Sequence, residues 1–462
     1  MNPKNNLLLI CIFFIAFISC SKSVNDTSIY FGGSIINPKT NNVILYSLDK
    51  VIDTFYIDSK NKFIGKLDSI KEGLYSFAHG DETQFLYLKS NDSLTLSLNT
   101  WNFDESLVFS GTGAERNNML IDCFLQYEKD KKLFYKYNSL KASSFKTKVD
   151  SLITIKIKTY KEYTSNYPED TEKFKDILKT ALTYPVYTRI ERYPSAHAKR
   201  MKLNDFPEIS DDFYSYRNEL KIDKNELMYY SPYSMYVTSF LYNSTYSLGH
   251  KPMQNNFTSN FTVDLLKTID VKIQSKVLKN AFLKQTLISH FYKKSTCDIN
   301  NKEFDTFLSL SSNKKDKELI KKILNDNHLV HVDHKINNFI ITDFNNKNHS
   351  TKKFLNKNTL LFFWSLNQVS KSYVSSRVNY LQKKYPDVQF LTIKIDGDKL
   401  DKIEKLDIKK QFFINQNSEA NLFLTSKMTR SILINKMGFI TNGFASISSN
   451  NIYTQLDELN KN

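Results

Sequence analysis

The residues best suited by type to do chemistry are His328, His331, Asp333 and His334, grouped within seven positions of this 462-residue chain. Three imidazoles at this spacing can share one metal ion only if the segment is helical. The valines on both sides of His331 favour an extended segment instead, in which alternate side chains point to opposite faces. We therefore predict a linker here and no metal site.

Two further groups have suitable residue types without the surroundings of a site. Gly111-Thr112-Gly113 lies between a predicted strand and a predicted helix, but it lacks the third glycine of a dinucleotide-binding loop and the βαβ unit around it. Asp396 and Asp398 follow a predicted strand, at the edge where α/β folds often form sites. We predict that both are solvated loop acids. No spacing singles out a catalytic set, so the sequence predicts no catalytic residue and no cofactor.

Thiol chemistry is limited by the positions of the four cysteines, at residues 11, 20, 123 and 297. Thiol–disulfide exchange needs an attacking thiolate and a second thiol that resolves the mixed disulfide. No cysteine follows Cys297, so the C-terminal part of the chain has no dithiol. We predict that Cys123 and Cys297 are buried free thiols. A bridge between them stays open, because an exported protein meets oxidising conditions.

The N-terminus has the pattern of an export signal. A lysine precedes an apolar run from Leu7 to Ile18, which is shorter than the about 20 residues of a membrane-spanning helix. The run ends in Phe17-Ile18-Ser19-Cys20, which resembles a bacterial lipobox. That resemblance implies a signal peptide over residues 1–19, a lipid on Cys20 and a linker over residues 20–28. An ordinary secretory signal is the alternative.

We therefore expect a protein anchored in the cell envelope through its N-terminal lipid, at the outer membrane on the periplasmic or the surface side. The net charge of +16 would attract anionic lipid or polysaccharide, or it reflects a composition rich in Lys, Asn and Ile. The lysines are spread along the chain without a basic helix or an RNA-binding motif, so we predict no nucleic-acid partner.

Two sequence textures precede the C-terminal part. Residues 29–113 hold seven or eight short apolar runs separated by turn residues, and we predict a β-sandwich there. Residues 114–327 have apolar positions at helical spacing, and we predict a helical region. Tyrosine is frequent in that region, and we predict that these rings pack between helices. The alternative is an exposed aromatic surface that includes Tyr229 and Tyr230 and binds glycan.

The C-terminal part, residues 328–462, contains a strand–helix–strand pattern. Leu360–Trp364 is a short apolar run typical of a strand buried on both faces. Val374, Val378 and Leu381 then define one buried helix stripe, and a second apolar strand follows Pro386. Such βαβ units join parallel strands through a right-handed crossover.

The run FFWS before this helix, then KKYPDVQFLTIKID, then the segment from Arg430 to Ile440, resemble the thioredoxin-like domain of TlpA-type lipoproteins. Active members carry a CxxC motif after the first strand and a cis-proline before a later strand. Here the CxxC window is Gln368-Val369-Ser370-Lys371, and the cis-proline position is Thr429. The resemblance therefore implies the fold without its two redox determinants.

The N-terminal region is similar to the domain of uncharacterised function that precedes thioredoxin-like domains in Bacteroidota-type lipoproteins. The similar segments are Val51-Ile-Asp-Thr, Glu72-Gly-Leu-Tyr and residues 103–118. The predicted fold class is thus multidomain α+β: a β-sandwich, a helical middle and a C-terminal α/β thioredoxin-like domain. We predict a non-catalytic lipoprotein whose degenerate domain binds an envelope protein as a scaffold. A thiol–disulfide oxidoreductase, by resemblance only, and a glycan-binding or nutrient-binding lipoprotein are the alternatives.

Overall fold

The computed structural model describes residues 28–68, 70–252, 258–296, 300–396 and 406–461. The predicted signal peptide, Cys20, Cys297 and Asp398 lie outside these ranges. The chain is a mixed α/β protein with several sheets. It divides into two compact units, one formed by residues 1–126 with 171–174 and the other by residues 127–170 with 175–462.

The first unit contains two four-stranded sheets, with strand orders β4-β1-β7-β8 and β3-β2-β5-β6. Phe31 of one sheet and Phe77 of the other belong to the same hydrophobic core, because apolar side chains alternate along each strand and point to the space between the sheets. The strands are β1 Ile29–Ile36, β2 Asn42–Ser47, β3 Lys50–Tyr56, β4 Lys62–Leu67, β5 Gly73–His79, β6 Glu82–Leu88, β7 Ser93–Asn99 and β8 Val108–Thr112.

Eight long helices follow: α1 Ala114–Tyr137, α2 Ala142–Asn166, α3 Glu172–Met201, α4 Ser231–Tyr246, α5 Ser259–Lys272, α6 Lys276–Lys294, α7 Asn301–Leu310 and α8 Lys314–His328. Helix α3 continues through Pro185 and Pro194. The stretch from Ser259 to Lys294 is two helices, because Ser275 caps α6 by accepting a hydrogen bond from the amide of Leu278.

A seven-stranded sheet forms the C-terminal part, in the order β10-β9-β13-β12-β11-β14-β15. Its strands are β9 Ile340–Asp343, β10 Asn348–Ser350, β11 Thr359–Trp364, β12 Gln389–Lys394, β13 Gln411–Phe413, β14 Arg430–Ile434 and β15 Ile440–Ala445, with helices α9 Lys371–Lys384 and α10 Asn451–Lys461. Strand β11 is parallel to β12 and antiparallel to β14. All six residues of β11 are buried, which confirms the predicted doubly covered strand and the βαβ unit.

Each face of this sheet has its own core. Leu360 and Phe362 of β11 pack with Val378 of α9 and Leu456 of α10 on one face. The alternate residues, such as Phe363, pack on the opposite face. Three parallel strands followed by two antiparallel strands, with a helix after β11 and another after β15, have the topology of a thioredoxin-like fold. In the described ranges, no helix is long and apolar enough to cross a bilayer.

Candidate functional site

The loop between β11 and α9 contains the window at which the resembled family carries its two cysteines. Ser370 caps α9, because its hydroxyl accepts a hydrogen bond from the amide of Tyr373. Gln368, at the first cysteine position, connects two loops through its side-chain amide. Its Oε1 accepts a hydrogen bond from the amide of Thr429 at 2.8 Å, and its Nε2 donates to the carbonyl of Lys427 at 2.8 Å. The Gln368 side chain therefore links the window to the segment before β14 by two hydrogen bonds.

The backbone amide and the carbonyl of Thr429, at the cis-proline position, are both hydrogen-bonded to side chains. Its amide binds Gln368, and its carbonyl accepts a hydrogen bond of 2.8 Å from the hydroxyl of Tyr292 on α6. Burial raises the pKa of Tyr292, so the phenol keeps the proton that it donates. Every peptide bond in the described ranges is trans. An extended peptide therefore finds no unused backbone donor at Thr429.

Asp326, at the end of α8, fixes the same segment from the other side. Its carboxylate accepts hydrogen bonds from the amide and the hydroxyl of Thr425, at 2.8 and 2.5 Å, and from the amide of Ser426 at 2.8 Å. The guanidinium of Arg430 donates to the carbonyls of Asp326 and Phe423, at 3.3 and 2.6 Å. These contacts hold the loop before β14 against the helical region.

Asp396 is exposed in the loop after β12, as the sequence predicted, but its carboxylate also has hydrogen-bond and ion-pair partners. Parallel pairing brings the end of β12 beside the end of β11, so the Asp396 carboxylate accepts hydrogen bonds from the Ser365 hydroxyl at 3.0 Å and the Leu366 amide at 2.9 Å. Lys394 forms an ion pair with it at 2.6 Å. Burial raises the pKa of Asp396, but the Lys394 ammonium and these hydrogen bonds outweigh it and keep the pKa below the usual value. The role of Asp396 is to shape the window loop.

A groove with a volume of about 940 Å³ lies over the window, between the C-terminal sheet and α6. Apart from tyrosines, the ionisable side chains in its lining are Lys284, Lys293 and Arg430. Burial lowers the pKa of Lys293 to about 8. The described lining contains no cysteine, histidine or carboxylate, so it offers no thiolate and no metal-ligand set. The lining is Lys284, Ile288, Ser289, Tyr292, Lys293, Leu319, Phe362, Gln368, Val369, Ser370, Tyr373, Ser426, Met428, Thr429, Arg430, Ser446, Ile447 and Ser448.

The other candidates from the sequence lie outside this groove. Cys123 is buried, and Cys297 lies outside the described residues. His331 and His334 lie after the end of α8 with ring centroids 5.4 Å apart, and no group of three or more metal-binding side chains occurs among the described residues. Tyr229 is 46% exposed but Tyr230 only 6%, so the two rings do not form a common exposed surface.

The two glycines of the Gly111-Thr112-Gly113 motif have structural roles. A Cβ on Gly111 would lie 2.0 Å from the carbonyl oxygen of Ser93 on the paired strand. Gly113 has φ of +93°, and a Cβ there would press on the ion pair between Arg116 and Asp92. Both positions therefore require glycine for structural reasons.

Gln368→Ala should release the loop before β14. Loss of two partly exposed hydrogen bonds lowers the free energy of unfolding by about 1 kcal/mol. The more specific readout is faster hydrogen exchange at the amide of Thr429, measured by NMR or mass spectrometry. Asn367→Ala is the matched control, since Asn367 is an exposed neighbour and only its backbone amide is hydrogen-bonded. If the hydrogen-exchange rate of the Thr429 amide is the same in Gln368→Ala as in the native protein, the two Gln368 hydrogen bonds do not hold the loop.

No family model matches the sequence, and no curated protein matches it. Seventeen chains of solved structures do match. One, assigned as a thiol-disulfide oxidoreductase from Bacteroides vulgatus, is 23% identical and covers 28% of this chain and 97% of its own, with a TM-score of 0.25. A thiol:disulfide interchange protein from Bacteroides sp. is 17% identical and covers 28% of this chain and 90% of its own, with a TM-score of 0.23.

A thioredoxin-like protein from Bacteroides caccae is 13% identical and covers 59% of this chain and 93% of its own, with a TM-score of 0.28. These names belong to those proteins, and at such TM-scores the likeness says nothing further about this chain. The protein class that the sheet topology defines is a mixed α/β protein with a thioredoxin-like fold in its C-terminal part.

Proposed function

We propose that this chain is a non-catalytic lipoprotein of the cell envelope whose degenerate thioredoxin-like domain binds a protein partner. In this proposal the chain is a β-sandwich, a helical region and a thioredoxin-like domain. The observation that carries the proposal is the pair of hydrogen bonds from the Gln368 side chain to the segment before β14. Gln368 stands where the resembled family has a nucleophilic thiol, and it lines an open groove of about 940 Å³.

The groove favours side-chain recognition over strand pairing. Both backbone groups of Thr429 are already hydrogen-bonded, so a partner must insert side chains between α6 and the window. Ile288 and Met428 offer apolar contacts, and Lys293 offers positive charge, whereas Lys284 is already paired with Asp316 at 2.9 Å. The partner chemistry that fits is an apolar side chain beside an acidic one.

A photocrosslinker at the groove tests this proposal in cells. Tyr373 lines the groove and is 38% exposed, and a benzophenone-bearing phenylalanine in its place would capture whatever binds there. The same group at Leu422, which is exposed but outside the groove lining, is the control. We expect one stoichiometric adduct from position 373 and none from position 422. If neither position yields an adduct, or both yield the same one, the groove is not a partner site.

The oxidoreductase alternative makes an opposite prediction. We expect the native protein to reduce insulin no faster than dithiothreitol alone, because no cysteine lies in the groove lining. The double variant Gln368→Cys with Lys371→Cys places two thiols at the start of α9, where the helix N-terminus lowers the thiol pKa. We expect measurable turnover from this variant. Turnover by the native protein would refute the non-catalytic proposal.

Membrane attachment is the remaining part of the proposal. It is supported by the apolar run and by the sequence Phe17-Ile18-Ser19-Cys20. Metabolic labelling with an alkynyl palmitate analogue should mark the native protein and not Cys20→Ala, and only the native protein should sediment with outer membranes. Equal labelling of both would assign the N-terminus to another kind of export signal.

A further inference from the structure

A second cavity, of about 400 Å³, lies inside the helical region. Helices α3, α4, α5 and α6 all contribute to its walls. Its volume is within the range of small-molecule sites. Ser289 and Lys293 of α6 line both this cavity and the groove described above, so one helix separates the two spaces.

The one acid in the described lining is already neutralised. Glu191 is buried, and its carboxylate accepts two hydrogen bonds from Arg217, at 2.9 and 2.5 Å. The hydroxyl of Tyr216 and the side-chain amide of Asn243 donate to it at 2.8 and 2.7 Å. Because the carboxylate has a cationic partner and four donors, it adds no unbalanced charge to the cavity.

The cation next to it has no such partner. The Nε of Arg192 donates to the hydroxyl of Ser239 at 2.7 Å, and among the described residues no ion pair joins Arg192 to a carboxylate. Partial burial, and then the nearby Arg189, lower the pKa of Arg192. A guanidinium in this situation gains from an anion, because the anion relieves both the lost hydration and the repulsion. Lys293 adds a second positive group to the lining.

Three apolar side chains also line the cavity. They are Leu265 and Ile269 of α5 and Phe282 of α6, and all three are buried, whereas the other α6 residues of the lining are polar. The cavity thus combines cationic groups with an apolar patch. A ligand that satisfies both has an anionic head and an apolar body.

We propose that this cavity binds a small organic acid, with its carboxylate on the guanidinium of Arg192 and its apolar body against Leu265, Ile269 and Phe282. This site is distinct from the groove and does not depend on the function proposed for the groove.

Calorimetric titration of the full chain with 4-phenylbutyrate, and with the neutral 4-phenylbutan-1-ol, tests the proposal. We expect the native protein to bind the acid about tenfold more tightly than the alcohol, because only the acid forms a charge-assisted hydrogen bond with Arg192. Arg192→Gln should weaken binding of the acid about tenfold and leave binding of the alcohol within about twofold. Arg200→Gln is the control, because Arg200 lies on the same helix and packs on the ring of Tyr135 outside the cavity lining.

A cavity-filling variant separates this site from any other on the surface. Ser195→Phe places a ring in the cavity, and we expect it to abolish binding of both compounds while the thermal unfolding curve stays cooperative. The proposal is overturned if the native protein binds neither compound at millimolar concentration, if acid and alcohol bind equally, or if Arg192→Gln or Ser195→Phe binds the acid like the native protein.

Discussion

Asp326→Asn should lower the free energy of unfolding by about 3 kcal/mol, which is a large effect for a change of one atom. The Asp326 side chain is 2% exposed, and its two oxygens together accept three hydrogen bonds from Thr425 and Ser426. Asparagine keeps the shape but presents an amide NH₂ to a backbone N–H, so at least one buried donor is left unsatisfied. Urea-induced unfolding followed by circular dichroism measures the loss.

Asp387→Asn makes the same chemical change at an exposed position and should leave the unfolding midpoint unchanged. Asp326→Asn should also loosen the loop before β14 more than it loosens the rest of the fold. Hydrogen exchange at Ser426 should accelerate while exchange in β11 stays slow. A free energy of unfolding equal to that of the Asp387→Asn variant would mean that the loop before β14 does not depend on α8.

The protein should lose about 3 kcal/mol of stability as the pH falls from 6.5 to 4, because of His290. This histidine is 4% exposed, its Nδ1 lies 2.6 Å from the hydroxyl of Thr262, and its Nε2 lies 3.2 Å from an oxygen of the fully buried Glu303. Burial lowers the pKa of His290 to about 4, against the opposing attraction of Glu303.

The sign follows from proton binding. In the unfolded chain the imidazole has its ordinary pKa near 6.5 and takes up a proton below that pH, whereas in the folded protein it stays neutral down to about pH 4. Stability from this group is therefore fully present above pH 6.5 and is lost as the pH falls toward 4. Urea unfolding at half-unit pH intervals gives the slope.

His290→Gln removes the titrating group and should flatten that slope, although the variant starts from a lower stability. His334→Gln, at an exposed histidine, should keep the native slope. Parallel slopes for the native protein and His290→Gln would place the acid sensitivity elsewhere in the chain.

The strands were more predictable from sequence than the site. The run Leu360–Trp364 is apolar throughout because β11 is covered on both faces, so its composition alone identifies it. The break between α5 and α6 is not encoded in the same way. Asp223 accepts hydrogen bonds from the amides of Gln274 and Ser275 at 3.0 Å, and this contact spans 51 and 52 residues of sequence. The helical spacing on both sides of the break gives no sign of it.

The window was assigned in the sequence from the resembling segments around it, but the side chains that support it were not predicted. Tyr292 reaches Thr429 across 137 residues, and Asp326 reaches Thr425 across 99. A tyrosine on a helix and an aspartate near a helix end have nothing unusual in their local sequence. The exposed loop position of Asp396 was predicted, but its partners were not, since Ser365 and Leu366 approach it only after β11 and β12 have paired.

The end of α6 is fastened to the last strand and the last helix. Ser295 has φ of +51°, its carbonyl accepts hydrogen bonds from Asn442 and Gln455, and its hydroxyl accepts one from the amide of Ser446. Phe291 packs edge-on against Phe444 with ring centroids 3.9 Å apart. These contacts join the C-terminal sheet and its last helix to α6 of the helical region, so this part of the chain is not an independent module. Deleting residues 328–462 would expose the part of α6 that packs against them. Loss of partner binding by the remaining fragment would therefore report misfolding and not a missing binding surface.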